Sequence, residues 1–266
     1  MTGRERFISV VRSPRPSLGE ASFAIASHLG HPLAIDAGLD LLDGLAAATL
    51  GSLEGPPDLD GIARHLFHTV GFRGNHTEYG EVRNSLLPEV LRRRTGIPIT
   101  LSIVVIEVAE RLGVRATGVG MPGHFLVGDG VQPTRWLDSF DGGAWLDGAS
   151  ARNRFHAIHG LNATFDPTFL APTPAPQIMA RVLANLAGAH RVTGDPSALL
   201  RVLELRAEIP VVGASPRAQV ELAEALAAVG RIDDAVELLD ALGQRLDPRR
   251  RDALLGRIAT LRAGLN

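Results

Sequence analysis

A chain of 266 residues, 45% of them hydrophobic, can bury a sizeable core and hold one domain plus a smaller second unit. Its 27 basic and 29 acidic residues nearly cancel, so no overall field draws it onto nucleic acid or an anionic membrane surface. The chain contains no cysteine, which excludes disulfides, thiolate metal sites, redox motifs and every thiol nucleophile of its own.

Residues 1–16 carry Arg4, Arg6, Arg12 and Arg15 with no long apolar run behind them. They read as neither a secretory signal nor a membrane anchor, and the expectation is a cytoplasmic protein. Residues 33–50 predict a helix that Gly38 and Gly44 weaken. Leu59, Ile62, Ala63, Leu66, Phe67 and Val70 recur at amphipathic helical spacing, with Asp58 placed to cap that helix and Gly71 to end it. Residues 84–94 predict another, provided Pro88 falls in the first turn. The run GIPITLSIVVIEVAERLG, residues 96–113, opens a helix at Pro98 or Thr100, is apolar nearly all round and closes at Gly113, so it is expected to be buried on most sides. Within it Glu107 needs a partner, for which Arg83 or Arg111 is at hand.

The pattern then changes to short stretches rich in Val, Phe and Trp, divided by Gly and Pro, at residues 115–120, 124–127 and 134–138. These predict strands of a small antiparallel sheet on the buried helix. DPTFLAPTPAP, residues 166–176, has the composition of a linker. Beyond it, LANLAGAHRVTGDPSALLRVL and LAEALAAVGRIDDAVELL echo one another, with Gly194 and Gly230 at a spacing near the tetratricopeptide period and Ala198 and Ala235 following them. The expected organisation is an α+β domain over 1–165, a linker over 166–176 and an all-α tail over 177–266.

If residues 124–138 form a hairpin centred on Val131, His124 faces Asp138 and Leu126 faces Trp136, all on one side of the sheet. An Asp that orients a His is half of a catalytic triad, although it equally serves a half-buried structural His. His-x-x-His pairs at His28/His31, His65/His68 and His156/His159 lack the carboxylate of a zincin motif, so no metal site or other cofactor is expected. Arg92, Arg93 and Arg94 suit the C-terminal end of a helix without invoking nucleic acid.

The run GFRGNHTEYGEVRNSLLPEVLRRRTGIPITLSIVVIEVAERLGVRATGVGMPGHFLV, followed by WLDSFDGG, resembles the bacterial transglutaminase-like family of the SirB type, whose C-terminal part is tetratricopeptide-like. The Arg-Asn, Gly-Ile-Pro, Pro-Gly-His-Phe and Asp-Ser-Phe-Asp-Gly-Gly elements carry the likeness over about residues 66–146. The resemblance implies a papain-like core with a Cys at the head of a buried helix and a His and an Asp on adjacent strands. Carried over, the helix is residues 100–112, the His is His124 and the Asp is Asp138, with Arg83 and Asn84 lining the cleft. Active relatives place Cys at the helix N-terminus, where this chain reads Pro98, Ile99, Thr100, Leu101 and Ser102; the resemblance does not settle which of these takes its position, and Thr100 and Ser102 are the two that carry a hydroxyl. A hydroxyl needs its proton removed during attack, so losing the thiol is not a conservative change. The expected function is therefore a non-catalytic module that binds a protein or peptide partner, with no nucleic acid and no membrane. The alternative is an amidase or transamidase using Thr100 or Ser102 with His124 and Asp138.

Overall fold

A computed structural model describes residues 1–245. The part of the expected tail over 246–266 lies outside the described residues. The chain divides into two compact units, Met1–Val182 and a second beginning at Leu183.

The first unit is α+β. Helices α1 (Gly3–Val11), α2 (Leu18–His28), α3 (Ile35–Ser52), α4 (Leu59–Arg64), α5 (Leu87–Arg93) and α6 (Pro98–Arg111) precede a four-stranded antiparallel sheet. Its strands, in spatial order, are β3 (Ala116–Val119), β4 (Leu126–Asp129), β5 (Trp136–Asp138) and β6 (Ala144–Leu146). A two-residue parallel pair, β1 (Arg73–Gly74) and β2 (Thr95–Gly96), brackets α5. Helix α7 (Gly148–His159) follows the sheet.

The apolar run of α6 makes it the centre of this unit. Every residue from Pro98 to Ala109 is buried, and the helix packs on α2, α3, α4, α5, β3 and β4. Each fully buried aliphatic side chain of this kind contributes about 1.5–3 kcal/mol. Glu107, 1% exposed, is the one charge in the run. Arg111 supplies its partner at 2.7 Å, while its other oxygen accepts from the Gly19 N–H at 2.6 Å and the Ser17 hydroxyl at 3.3 Å. The carboxylate thus lies at the N-terminus of α2, where a helix favours negative charge. Arg111 also reaches Asp43 of α3 at 2.6 Å, so one ion pair ties α6 to two neighbours. Arg83, the other candidate partner, pairs with Glu81.

The amphipathic segment over 59–70 is helical throughout, with the Asp58 carboxylate accepting from the Gly61 N–H at 2.7 Å and Gly71 ending it at φ 86°. Its second half, His65–Val70, is a π-helix. His65 in that turn is buried with neither ring nitrogen partnered among the described residues, and burial lowers its pKa.

On the side of the sheet shared by Leu126 and Trp136, a core forms with Leu146, Phe155 of α7 and Leu170. Leu170 belongs to the Pro-rich segment, and here the linker expectation is corrected. Residues Pro167–Leu170 form a 3-10 turn, and the Leu170 carbonyl accepts from the Trp136 indole at 3.2 Å. The Thr173 N–H donates to the Gly118 carbonyl at 2.8 Å, and its hydroxyl accepts from the Gly120 N–H at 2.8 Å. The segment therefore covers the open edge of β3. Prolines bring no N–H, so such a stretch can lie along a sheet edge with few donors left to satisfy. The compact-unit boundary falls later, inside α8 (Ala175–Thr193).

In the second unit, Gly194 at φ 69° and Gly230 at φ 83° each end a helix and turn the chain into the next. The helices are the end of α8, α9 (Pro196–Ala207), α10 (Pro210–Gly213), α11 (Pro216–Ala228) and α12 (Ile232–Gly243). Helix α11 packs on α9 and α12, and Ala198 and Ala235 are buried.

Candidate active site

Local sequence explains how His124 and Asp138 come together. Met121, Pro122, Gly123 and His124 form a turn in which the His124 N–H donates to the Met121 carbonyl at 3.0 Å, with Gly123 at φ 73°. Proline then glycine is the pair such a turn favours. A Cβ on Gly123 would also lie 2.7 Å from Ile158 and 2.8 Å from His159, so α7 packs too closely for any side chain there. At the other end, one Asp138 oxygen accepts from the Phe140 and Asp141 N–H groups at 3.1 and 3.2 Å, nucleating the turn into β6.

The second Asp138 oxygen lies 2.9 Å from His124 Nε2, with His124 6% and Asp138 0% exposed. Arg154 of α7 stands 3.4 Å from the same carboxylate and 2.6 Å from Asp141. Burial alone would raise the Asp138 pKa, but the hydrogen bond and charge of His124, the charge of Arg154 and the Asp141 N–H outweigh it and hold the carboxyl below the usual range.

The hairpin register behind the expected pairing is corrected. Val127 opposes Leu137 and Gly128 opposes Trp136, two residues away from the expected alignment. His124 precedes β4 rather than lying in it. The expected alignment would set Asp129 opposite Pro133, which has no N–H to give; instead the Asp129 N–H donates to the Arg135 carbonyl at 3.2 Å across a wider loop. A two-residue slip preserves the faces, so His124 and Asp138 still meet.

Both candidate hydroxyls are engaged elsewhere. Thr100, 1% exposed, donates to the Asn84 carbonyl at 2.7 Å, and its oxygen accepts from the Ile97 N–H at 3.2 Å, which caps α6 from inside its first turn. Ser102, fully buried, lies 3.2 Å from the Ser139 hydroxyl, next to Asp138 in the chain. Asn84 is also fully buried; its amide donates to the Glu78 and Tyr79 carbonyls at 2.7 and 3.3 Å, and its oxygen accepts from Asn75 at 3.2 Å and Arg93 at 3.3 Å. It locks the loop over residues 75–84. Arg83 points outward, its side chain 55% exposed.

That loop carries residues that sequence reasoning did not single out. The rings of His76 and Tyr79 lie 4.3 and 5.9 Å from that of Phe140, which in turn meets the His124 ring edge-on at 6.3 Å. Tyr79 is half-exposed, and burial raises its pKa against the opposing pull of Arg181. Arg181 donates to the Met121 and His124 carbonyls at 3.0 and 2.8 Å, clamping the turn that holds the His. Tyr79 does fall within the run that carries the family resemblance, and Phe140 within its Asp-Ser-Phe-Asp-Gly-Gly element. Arg181 had no signal, because it lies beyond the stretch read as a linker. Among the described residues no three His, Asp or Glu side chains converge as a metal site would require, and no helix is long and apolar enough to cross a membrane.

Comparison with known proteins decides the family. Residues 37–184 match the model of the transglutaminase-like superfamily, and this span contains the central helix, the sheet and all of the candidate site. The chain belongs to that superfamily. It is 41% identical over 138 residues to a UPF0162 protein of Xylella fastidiosa, covering 49% of this chain and 48% of that protein. A UPF0162 protein of Pseudomonas aeruginosa is 28% identical over 218 residues, covering 81% of this chain and 80% of its own. The chain thus matches about half the length of the first of these relatives. Among solved structures, menin, described with the binding site for the Mixed Lineage Leukemia protein, aligns with a TM-score of 0.41 and 12% identity over 91% of this chain and 68% of its own.

Proposed function

We propose that this transglutaminase-like chain is a non-catalytic module of the SirB type, which binds a protein or peptide segment beside His124 and works in the cytoplasm. Its second unit serves as a tetratricopeptide-like extension. The observation that carries this reading is the state of the two hydroxyls at the head of α6. A nucleophile must be within reach of its base and of substrate. Thr100 instead bonds Asn84 and Ile97, Ser102 bonds Ser139, and both are shielded from solvent. What remains beside the buried His–Asp pair is a half-exposed aromatic rim of His76, Tyr79 and Phe140, a surface suited to holding a chain segment by ring contacts.

A glutaminyl peptide, the amide that an active superfamily fold would attack, tests the two halves of the proposal together. Titration into the labelled protein is expected to shift NMR signals of Tyr79, Phe140 and the His124 ring, with no ammonia released on adding a primary amine. Amine-dependent ammonia release that His124→Ala abolishes would establish the acyl-transfer alternative instead. Shifts confined to residues remote from this rim would remove the rim as the binding surface.

A further inference from the structure

The α3 helix is apolar over a wider arc than the core uses. Gly38, Leu42, Ala46 and Thr49 form its buried stripe, yet Leu41 and Leu45 lie beside that stripe and Leu41 is 51% exposed. These leucines face a cavity of about 400 Å³ whose other walls include Val70 and Phe72. That volume is at the small end of the roughly 300–1,000 Å³ typical of small-molecule sites.

The cavity also has a polar, charged part to its lining, made by His31, Glu89, Arg92 and Arg94. The His31 Nδ1 accepts from the Leu33 N–H at 3.2 Å, so its Nε2 carries the proton toward Glu89 at 3.3 Å. Arg92 pairs with the same carboxylate at 2.7 Å. Glu89 is thereby matched. Arg94, also in the lining, has no side-chain partner among the described residues. It is also the one non-glycine residue at positive φ among those residues, 55°, at the left-handed position that ends α5 and that glycine or asparagine normally fills. The Arg73 N–H holds its carbonyl at 2.9 Å. Arg94 thus brings a guanidinium with no carboxylate partner among the described residues to the border of an apolar cavity.

We infer that this cavity binds a small amphiphilic carboxylate, its apolar body against Leu41, Leu45, Val70 and Phe72 and its carboxylate on the Arg94 guanidinium. The site shares no residue with the His124 neighbourhood and does not depend on the function proposed there.

Decanoate is a suitable probe, with 1-decanol and decyltrimethylammonium as matched neutral and cationic chains. Calorimetry on the whole chain is expected to show decanoate binding at least tenfold more tightly than either, with methyl NMR shifts centred on Leu41, Leu45 and Val70. Arg94→Gly and Arg94→Asn both accept the left-handed backbone, so each should erase the tenfold preference without lowering Tm. Equal binding of decanoate and decanol, or a preference that survives both substitutions, overturns the inference. Binding to phosphatidylglycerol vesicles without binding of free decanoate assigns the cation to a membrane surface and overturns it too. So does dimerisation that shields the Leu41 and Leu45 methyls and that decanoate does not relieve.

Discussion

Glu107→Ala is expected to destabilise the protein by about 3–5 kcal/mol, the usual cost of leaving one member of a buried ion pair alone. The loss has several parts. The Arg111 guanidinium keeps only Asp43 as a carboxylate partner, and the Gly19 N–H and Ser17 hydroxyl lose their acceptor at the start of α2. Glutamine can still accept from Gly19 but carries no charge for Arg111, so Glu107→Gln should lose about half as much. Denaturant unfolding of the two variants, with Arg111→Ala closing a double-mutant cycle, measures the pair. A loss under about 1 kcal/mol for Glu107→Ala would mean that the carboxylate does not bind α6 to α2 and α3.

Asp138→Asn should cost about 3 kcal/mol at neutral pH, since one amide oxygen cannot replace a carboxylate that serves His124, Arg154 and two backbone N–H groups. The pH dependence has a definite sign. The folded carboxyl titrates below its ordinary value of 3.8, so on acidification the unfolded chain takes up the proton first. Its stabilisation is complete above that value and fades as the pH falls through the folded pKa. Asparagine does not titrate. The stability gap between wild type and Asp138→Asn should therefore narrow below about pH 4. A gap that instead widens with acid would show that the carboxylate is not held in its charged form by His124 and Arg154.

The legible parts of the fold were those with strong periodicity or unbroken apolarity. Helix α6 declared itself because Ile103, Val104, Ile106 and Val108 leave no polar face, and all four are buried. Helices α1 and α2 were not individually foreseen; α1 is only nine residues long, with its buried side chains limited to Phe7, Val10 and Val11, and α2 is rich in Ala, Ser and Gly and buried nearly all round. Strand β6 is only Ala144–Leu146, too short for alternation to register. The π-turn at His65–Val70 keeps the spacing of an ordinary helix and has no marker in sequence. The register slip followed from Pro133, which the symmetric hairpin argument treated as any other residue.

The candidate site was readable to the same extent. His124 and Asp138 could be paired because parity fixes the face even when alignment is off by two. What Thr100, Ser102 and Asn84 do could not be read, because their partners are backbone groups and the side chains of Ser139, Asn75 and Arg93, brought near only by folding. Sequence likeness marks such positions without saying whether a hydroxyl is poised or capped.

Covalent labelling separates those two states. The whole chain, treated with a hydroxyl-reactive fluorophosphonate and digested for mass mapping, should carry no adduct at Thr100 or Ser102, in wild type and His124→Ala alike. An adduct at either residue that forms in the wild type and disappears in His124→Ala would mean that the hydroxyl is activated by the His–Asp pair, and would contradict the non-catalytic reading.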